Sequence, residues 1–226
     1  MNQVYVLTGC SSGLGYSLLK KLLNENKKVV GISRNIGNAS EFEDLENFVF
    51  LQHDLANKSF SEVEKKLTFD DNVDIYLILN AANFIFEGEK LLDDKKLYEL
   101  FEINYFSNVK LVNFFMKQNL RRCMIINSIS GLESQPGQFQ YSASKHSLQS
   151  FGENLSCLSK NKKFDVMNIN PGGMNTELWD KTKLLKKEIT NNFLDPDELS
   201  NLLVNLINMK GKVYIKSFKI LPEHDV

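Results

Sequence analysis

Val4-Tyr5-Val6-Leu7-Thr8 has the apolar, β-branched and aromatic make-up of a buried strand, and it runs without a spacer into Gly9-Cys10-Ser11-Ser12-Gly13-Leu14-Gly15, where a helical period begins. No other segment constrains the fold as tightly. Glycines let the turn be sharp and let the backbone approach a ligand closely, while the first amides of the following helix point at whatever anion sits there. In strand-loop-helix context this pattern predicts a pyrophosphate seat, with Gly9, Ser11, Ser12, Gly13, Leu14 and Gly15 as its cofactor-binding residues. A glycine cluster without that context would read equally well as a flexible turn.

The rest of the chain alternates short β-branched or aromatic runs with longer stretches of helical period, the pattern of strand-helix-strand units around a parallel sheet. Strands are expected near 3–8, 28–33, 48–52, 74–79, 122–128, 164–170 and 212–216, and helices near 14–26, 57–68, 95–119, 141–161 and 197–209. The fold class is therefore α/β: a doubly wound, mostly parallel sheet of about seven strands with helices on both faces. Asp195-Pro196-Asp197-Glu198 marks a helix start, with Asp195 as cap and acids placed against the helix dipole. No repeat, low-complexity tract or Pro-rich linker divides the chain, so 1–226 is expected to form a single nucleotide-binding domain.

In such a fold the end of the second strand faces the adenosine ribose. An acid there suits the free 2′-hydroxyl of NAD, but the strand 28–33 ends in Ser33-Arg34, a small hydroxyl and a planar cation suited to a 2′-phosphate. NADP(H) is the expected cofactor. Asp54 and Leu55, after the third strand, are expected to flank the adenine, and Asn80, Ala81 and Ala82, after the fourth, are small where the backbone must run close to the cofactor.

Bulk properties exclude several other classes. The net charge of −1 with interspersed signs gives no electrostatic reason to expect nucleic acid or an anionic membrane as partner. Three widely separated cysteines and three distant histidines form no metal-ligand spacing, so no metal is expected. With no apolar run of membrane-spanning length and no signal-peptide pattern, the expected location is the cytoplasm.

Two segments carry Tyr-x-x-x-Lys: Tyr16 to Lys20 and Tyr141 to Lys145. On a helix this spacing puts both side chains on one face, where a lysine cation can lower the tyrosine pKa toward working pH and make the phenol a usable acid. The spacing itself does not choose between them. Tyr141, however, lies 13 residues beyond Ser128, a hydroxyl at the end of the fifth strand, whereas Tyr16 has only the glycine loop behind it.

Taken together these motifs resemble the short-chain dehydrogenase/reductase family, in its short single-domain branch. Thr8 to Gly15 matches the family's Thr-Gly-x-x-x-Gly-x-Gly and Tyr141 to Lys145 its Tyr-x-x-x-Lys, and the likeness runs from about residue 3 to 176. The resemblance implies a Rossmann-like fold and a carbonyl reductase in which Tyr141 donates the proton, Ser128 bonds the carbonyl oxygen, Lys145 also holds the nicotinamide ribose, and Asn104 supports a water relay behind the lysine. It further implies that Pro171, Gly172, Gly173, Met174 and Thr176 lie along the nicotinamide. One departure stands out: the family's Asn-Asn-Ala-Gly reads here Asn80-Ala81-Ala82-Asn83, with asparagine, which tolerates left-handed backbone, at the glycine position. Ser33-Arg34 and the run from Pro171 to Leu178 look most like the sepiapterin reductase and benzil reductase branch.

The expected reaction is NADPH-dependent reduction of a ketone or aldehyde. Segments 84–93, 132–140 and 174–194 should wall the substrate, with Phe84, Phe86, Phe139, Met174, Leu178 and Trp179 available for an apolar pocket. A lysine cluster, Lys181, Lys183, Lys186 and Lys187, leaves open an acyl-carrier-linked 3-ketoacyl substrate. A non-catalytic NADP(H)-binding regulator is the reading from another class. The helices 95–119 and 141–161 resemble the pair through which family members self-associate, so a homodimer or homotetramer is expected, with Tyr98, Phe106, Phe114, Leu148, Phe151 and Leu155 facing a partner.

Overall fold

All seven strands of the sheet run parallel. They are β1 (Asn2–Thr8), β2 (Lys28–Ser33), β3 (Phe48–Gln52), β4 (Val73–Leu79), β5 (Leu120–Ile126), β6 (Asp165–Pro171) and β7 (Ser217–Ile220), in spatial order β3-β2-β1-β4-β5-β6-β7. This computed structural model describes residues 2–57, 59–159, 164–182, 187–209 and 215–223. The chain winds outward from β1 to β3 on one side and from β4 to β7 on the other. The strand order therefore reverses between β1 and β4, and a ligand crevice opens beyond their carboxyl ends.

Strands buried on both faces read as continuous apolar runs, and alternate residues feed two separate cores. Val4, Val6, Leu77, Leu79, Cys123 and Ile125 face one side, under α2 (Ser61–Lys66), α4 (Ser107–Phe115) and α5 (Phe139–Ser159). Tyr5, Leu7, Ile78, Met124, Ile126 and Ile169 face the other, under α1 (Gly13–Asn24) and, after the short α6 (Glu177–Thr182) and α7 (Lys187–Thr190) in the chain, α8 (Pro196–Asn208). At roughly 1.5–3 kcal/mol per fully buried aliphatic or aromatic side chain, these two layers supply the main drive to fold. The α8 start follows the sequence reading, since the Asp195 carboxylate accepts from Asp197 N at 2.7 Å and Glu198 N at 3.4 Å.

The helix expected over 95–119 differs in an informative way. It begins as α3 (Asp94–Phe101), loosens into one π turn over Glu102–Phe106 and resumes as α4. Within the turn Ser107 Oγ donates to Ile103 O at 2.8 Å and Asn108 Nδ2 to Asn104 O at 2.9 Å, so side chains take carbonyls that a regular ladder would use. The helix expected over 57–68 is shorter, Ser61–Lys66. The expected last strand, 212–216, falls mostly outside the described residues, and the seventh strand lies further on at Ser217–Ile220.

Leu148 and Leu155, expected to face a partner, are buried in the first core, because α5 packs on β6 and on the π turn as well. Tyr98 and Phe106 are exposed, while Phe114 and Phe151 are half-buried against that core. Among the described residues no helix is long and apolar enough to cross a membrane.

Candidate active site

The glycine loop is held by polar side chains that close on its backbone. Asn80 Nδ2 donates to Thr8 O at 3.1 Å and Gly9 O at 3.2 Å, and Thr8 Oγ1 accepts from Asn80 N and Ala81 N, both at 3.0 Å. Gly9 has φ +71°, and a Cβ on it would lie 2.9 Å from Ala81 Cα. On Gly15 a Cβ would lie 1.9 Å from Gly9 O, so this glycine serves the close packing of α1 on the loop. Beyond them opens a cavity of about 260 Å³, lined by Gly9, Ser11, Ser12, Ser33, Arg34, Asp54, Leu55, Asn80, Ala81 and Ala82 of the expected cofactor set. Leu14 of the same set buries its side chain in the second core, which leaves its backbone to face a phosphate.

Within this cavity Arg34 is exposed, whereas the Ser33 hydroxyl is buried 3.5 Å from Cys10 Sγ. His53, which the sequence reading missed, also lines it, with a buried Nε2 that has no hydrogen-bond partner. Asn35, Ile32, Asn83 and Ile103 complete the lining. Position in the chain could have pointed to His53, since it stands beside Asp54 at the end of β3. Asn83 does not adopt left-handed backbone; Asn26 is the non-glycine residue that does so among the described residues. The amide of Asn104 holds the Asn83 backbone instead, accepting from its N–H at 2.7 Å and donating to its carbonyl at 2.9 Å.

Asn104, Ser128, Tyr141 and Lys145 come from three segments: the π turn, the loop just after β5, and two successive turns of α5. The Ser128 hydroxyl and the Tyr141 phenol line the same cavity, near enough for the hydroxyl to favour the phenolate. Lys145 Nζ donates to Ile126 O at 3.5 Å and sits 5.9 Å from the centre of the Tyr141 ring. Asn104 Nδ2 also donates to Ser144 Oγ at 3.0 Å, and Ser144 Oγ to Tyr141 O at 2.7 Å. Asn104 thus ties the loop after β4 to the helix that carries the tyrosine, and its side chain is spent on these bonds rather than on Lys145.

Electrostatics correct one expectation. Burial pushes the Tyr141 phenol up to about 12, with the neighbouring Ser128 hydroxyl opposing, and burial pushes Lys145 down to about 8. Both groups are almost wholly enclosed, and desolvation holds each toward its neutral form. The other tyrosine has a different environment. Tyr16 donates to Glu41, which raises its pKa to about 12, and its ring stacks on Phe42 at 6.0 Å.

A second cavity, of about 320 Å³, opens on Tyr141 and Ser128. Thr176, which lines it, lies against the glycine loop, where a Cβ on Gly13 would be 3.3 Å from Thr176 Cγ2. Pro171, Gly172, Gly173, Met174 and Thr176 line it, joined by Phe84, Leu178 and Trp179 from the expected wall. Phe86 and Phe139 do not: both are exposed, and Phe86 packs over Gly137. Phe193, Gln135 and Gln138 line the cavity and were not singled out from sequence. Of the lysine cluster, Lys183 and Lys186 lie outside the described residues.

A parallel sheet with its glycine loop at the switch point, opening on a Ser-Tyr-Lys constellation, defines a dinucleotide-dependent oxidoreductase of the short-chain kind. The chain belongs to the short-chain dehydrogenase/reductase family, the family model for short chain dehydrogenase matching residues 3–186. It is 29% identical over 196 residues to a diacetyl reductase [(S)-acetoin forming] of Staphylococcus epidermidis, covering 80% of this chain and 75% of that protein. Its fold is that of 4-hydroxyisoleucine dehydrogenase complexed with NADH, with TM-score 0.83, 22% identity and 98% of both chains covered. The closed form of serine dehydrogenase complexed with NADP+ matches equally, with TM-score 0.83, 21% identity, and 97% of this chain and 94% of that one covered. Structural neighbours thus hold either nicotinamide dinucleotide.

Proposed function

We infer that the protein reduces a ketone or aldehyde to an alcohol with NADPH. The observation that carries this reading is that Ser128 and Tyr141 line one cavity, of about 320 Å³, while the glycine loop, Arg34 and Asn80 line another. The dinucleotide fits the donor set: Ser11, Ser12 and the loop amides for the pyrophosphate, Arg34 for a 2′-phosphate, and Asp54 and Leu55 beside the adenine. When bound, the cofactor supplies the hydride that reduces the carbonyl carbon.

The chain's own residues do the rest. Ser128 and Tyr141 donate to the carbonyl oxygen, and Tyr141 gives up its proton as the alkoxide develops. A phenol held toward its neutral form by burial keeps that proton available at neutral pH. Lys145, enclosed behind the ring, is placed to repay the phenolate once it forms. The exposed Tyr98 and Phe106, with the groove lined by Phe101, Tyr105 and Phe151, support self-association, which sedimentation at micromolar concentration checks. Three unpaired cysteines support a reducing compartment such as the cytoplasm.

The deciding experiment is NADPH oxidation over a panel of ketones, diketones and quinones with Tyr141→Phe and Tyr16→Phe. Tyr141→Phe should lose at least roughly 10²–10⁴-fold in turnover while keeping NADPH affinity. Tyr16→Phe should stay near normal. Full turnover in Tyr141→Phe would overturn the mechanism.

A further inference from the structure

The substrate cavity has one polar corner and one aromatic wall. From Tyr141 the rings run in a row: Phe84 meets Tyr141 edge-on at 4.9 Å and 82°, Trp179 meets Phe84 at 5.7 Å and 61°, and Phe193 meets Trp179 at 5.5 Å and 63°. The row is fixed in place. Trp179 Nε1 donates to Met174 O at 2.7 Å, and Gly173 leaves room for the Phe193 ring, which a Cβ there would meet at 2.9 Å. Tilted rings expose both faces and edges, which pair with a further aromatic ring more favourably than with a saturated group of the same size.

The polar part of the lining is neutral. Gln135, Gln138, Ser130 and Asn127 face the cavity, and no charged side chain lines it among the described residues. A carboxylate or phosphate taken into such a space would lose its hydration without a charged lining partner among the described residues. At about 320 Å³ the cavity also sits at the small end of ligand sites.

We propose that the substrate is an uncharged ketone bearing an aromatic ring, with its oxygen on Ser128 and Tyr141 and its ring against Phe84 and Trp179. This rests on the carbonyl-reductase reading and narrows it. Trp179 is the specificity-determining residue, and as the single tryptophan of the chain it reports its own occupancy.

The test compares phenylacetone with cyclohexylacetone, whose carbonyls are alike and whose rings differ only in being aromatic or saturated. With the full chain and NADPH, kcat/KM should favour the phenyl compound roughly three- to tenfold, and Trp179→Leu should bring the ratio to about one. The product alcohol 1-phenyl-2-propanol, titrated into the NADP+ complex, should shift the Trp179 emission saturably, and 1-cyclohexyl-2-propanol should do so only at higher concentration. Equal kcat/KM for the two ketones, or an emission unmoved by the phenyl alcohol, overturns the proposal. If 2,3-butanedione is still reduced in that case, and Tyr141→Phe abolishes it, the carbonyl-reductase reading stands without the aromatic one. If no carbonyl compound is turned over while the phenyl alcohol still titrates Trp179, the reductase reading falls and the aromatic site remains.

Discussion

The carboxylate of Glu87 accepts the backbone N–H of Tyr141 at 3.0 Å, and both of its oxygens accept that of Gln140 at 2.9 Å. A loop residue more than 50 positions upstream therefore caps the helix that carries the proposed proton donor. The contact is reciprocal, since Gln140 Oε1 accepts from Leu92 N at 3.0 Å and Glu87 N donates to Gly137 O at 2.8 Å. A buried acid at the positive end of a 21-residue helix satisfies amides that have no partner within the helix.

Removing that cap should be costly in two ways. Glu87→Ala leaves buried N–H groups unpaired, which costs about 1–3 kcal/mol in urea unfolding, whereas Glu87→Gln keeps an acceptor and should lose less. Turnover should fall in the same order, with NADPH affinity kept, because the first turn of α5 sets the Tyr141 phenol. Wild-type stability in Glu87→Ala would contradict the capping role.

Lys145 gives a pH prediction with a definite sign. Its pKa falls from the ordinary 10.5 to about 8 in the folded protein, so between those values the unfolded chain binds more protons and stability rises with pH. The penalty of burying the cation is complete below about pH 8 and is relieved toward 10.5. Lys145→Met lacks the penalty. Its stability advantage over wild type, measured by urea unfolding without cofactor, should be largest near pH 7 and shrink by about pH 10. A gap that stayed constant or widened over that range would show that Lys145 is not held toward neutrality.

Arg34 should set the cofactor preference. Its guanidinium is exposed at the rim of the glycine-lined cavity, and its backbone carbonyl is fixed by Gln52 Nε2 at 3.0 Å. A cation there gains a partner only in the phosphorylated dinucleotide. Arg34→Ala should weaken NADPH by about 1.5–3 kcal/mol and NADH far less. Equal losses for the two, in fluorescence titrations of each, would remove the assignment.

What was legible in the sequence was whatever one element encodes by itself. Apolar runs gave the strands, the glycine spacing gave the loop at β1, and Ser128 separated Tyr141 from Tyr16 although the two strings match. Contacts that join a side chain to distant backbone left no pattern. Glu87 looks like any loop acid, and the Asn104 clamp on Asn83 is visible only once the π turn brings them together. Leu148 and Leu155 were misjudged for a related reason: an apolar surplus on α5 looked free for a partner, while the fold spends it on its own core.

The packing of α5 on β6 is an equally hidden contact, and it yields the sharpest test of how far fold and site are coupled. Asn168 on β6 is fully buried, neither polar atom of its amide has a partner, and it lies against Gly152 of α5. A Cβ on Gly152 would sit 2.0 Å from Asn168 Oδ1. Two effects compete in Gly152→Ala. Helix propensity favours alanine by about 1 kcal/mol, but overpacking costs about 1–3 kcal/mol and pushes α5 away from the sheet. The clash should win, lowering both stability and turnover, because Tyr141 and Lys145 ride on the same helix. Asn168→Ala removes an unpaired amide and leaves a space, so alone it should change stability little. In the double variant the new methyl occupies that space, and the propensity gain is felt without the clash. Urea unfolding of the four proteins should then give a coupling of about 0.5–3 kcal/mol in the stabilising direction, with turnover recovered in parallel. Strictly additive losses would mean that α5 and β6 are not in the contact described, and that Gly152 is required for some other reason.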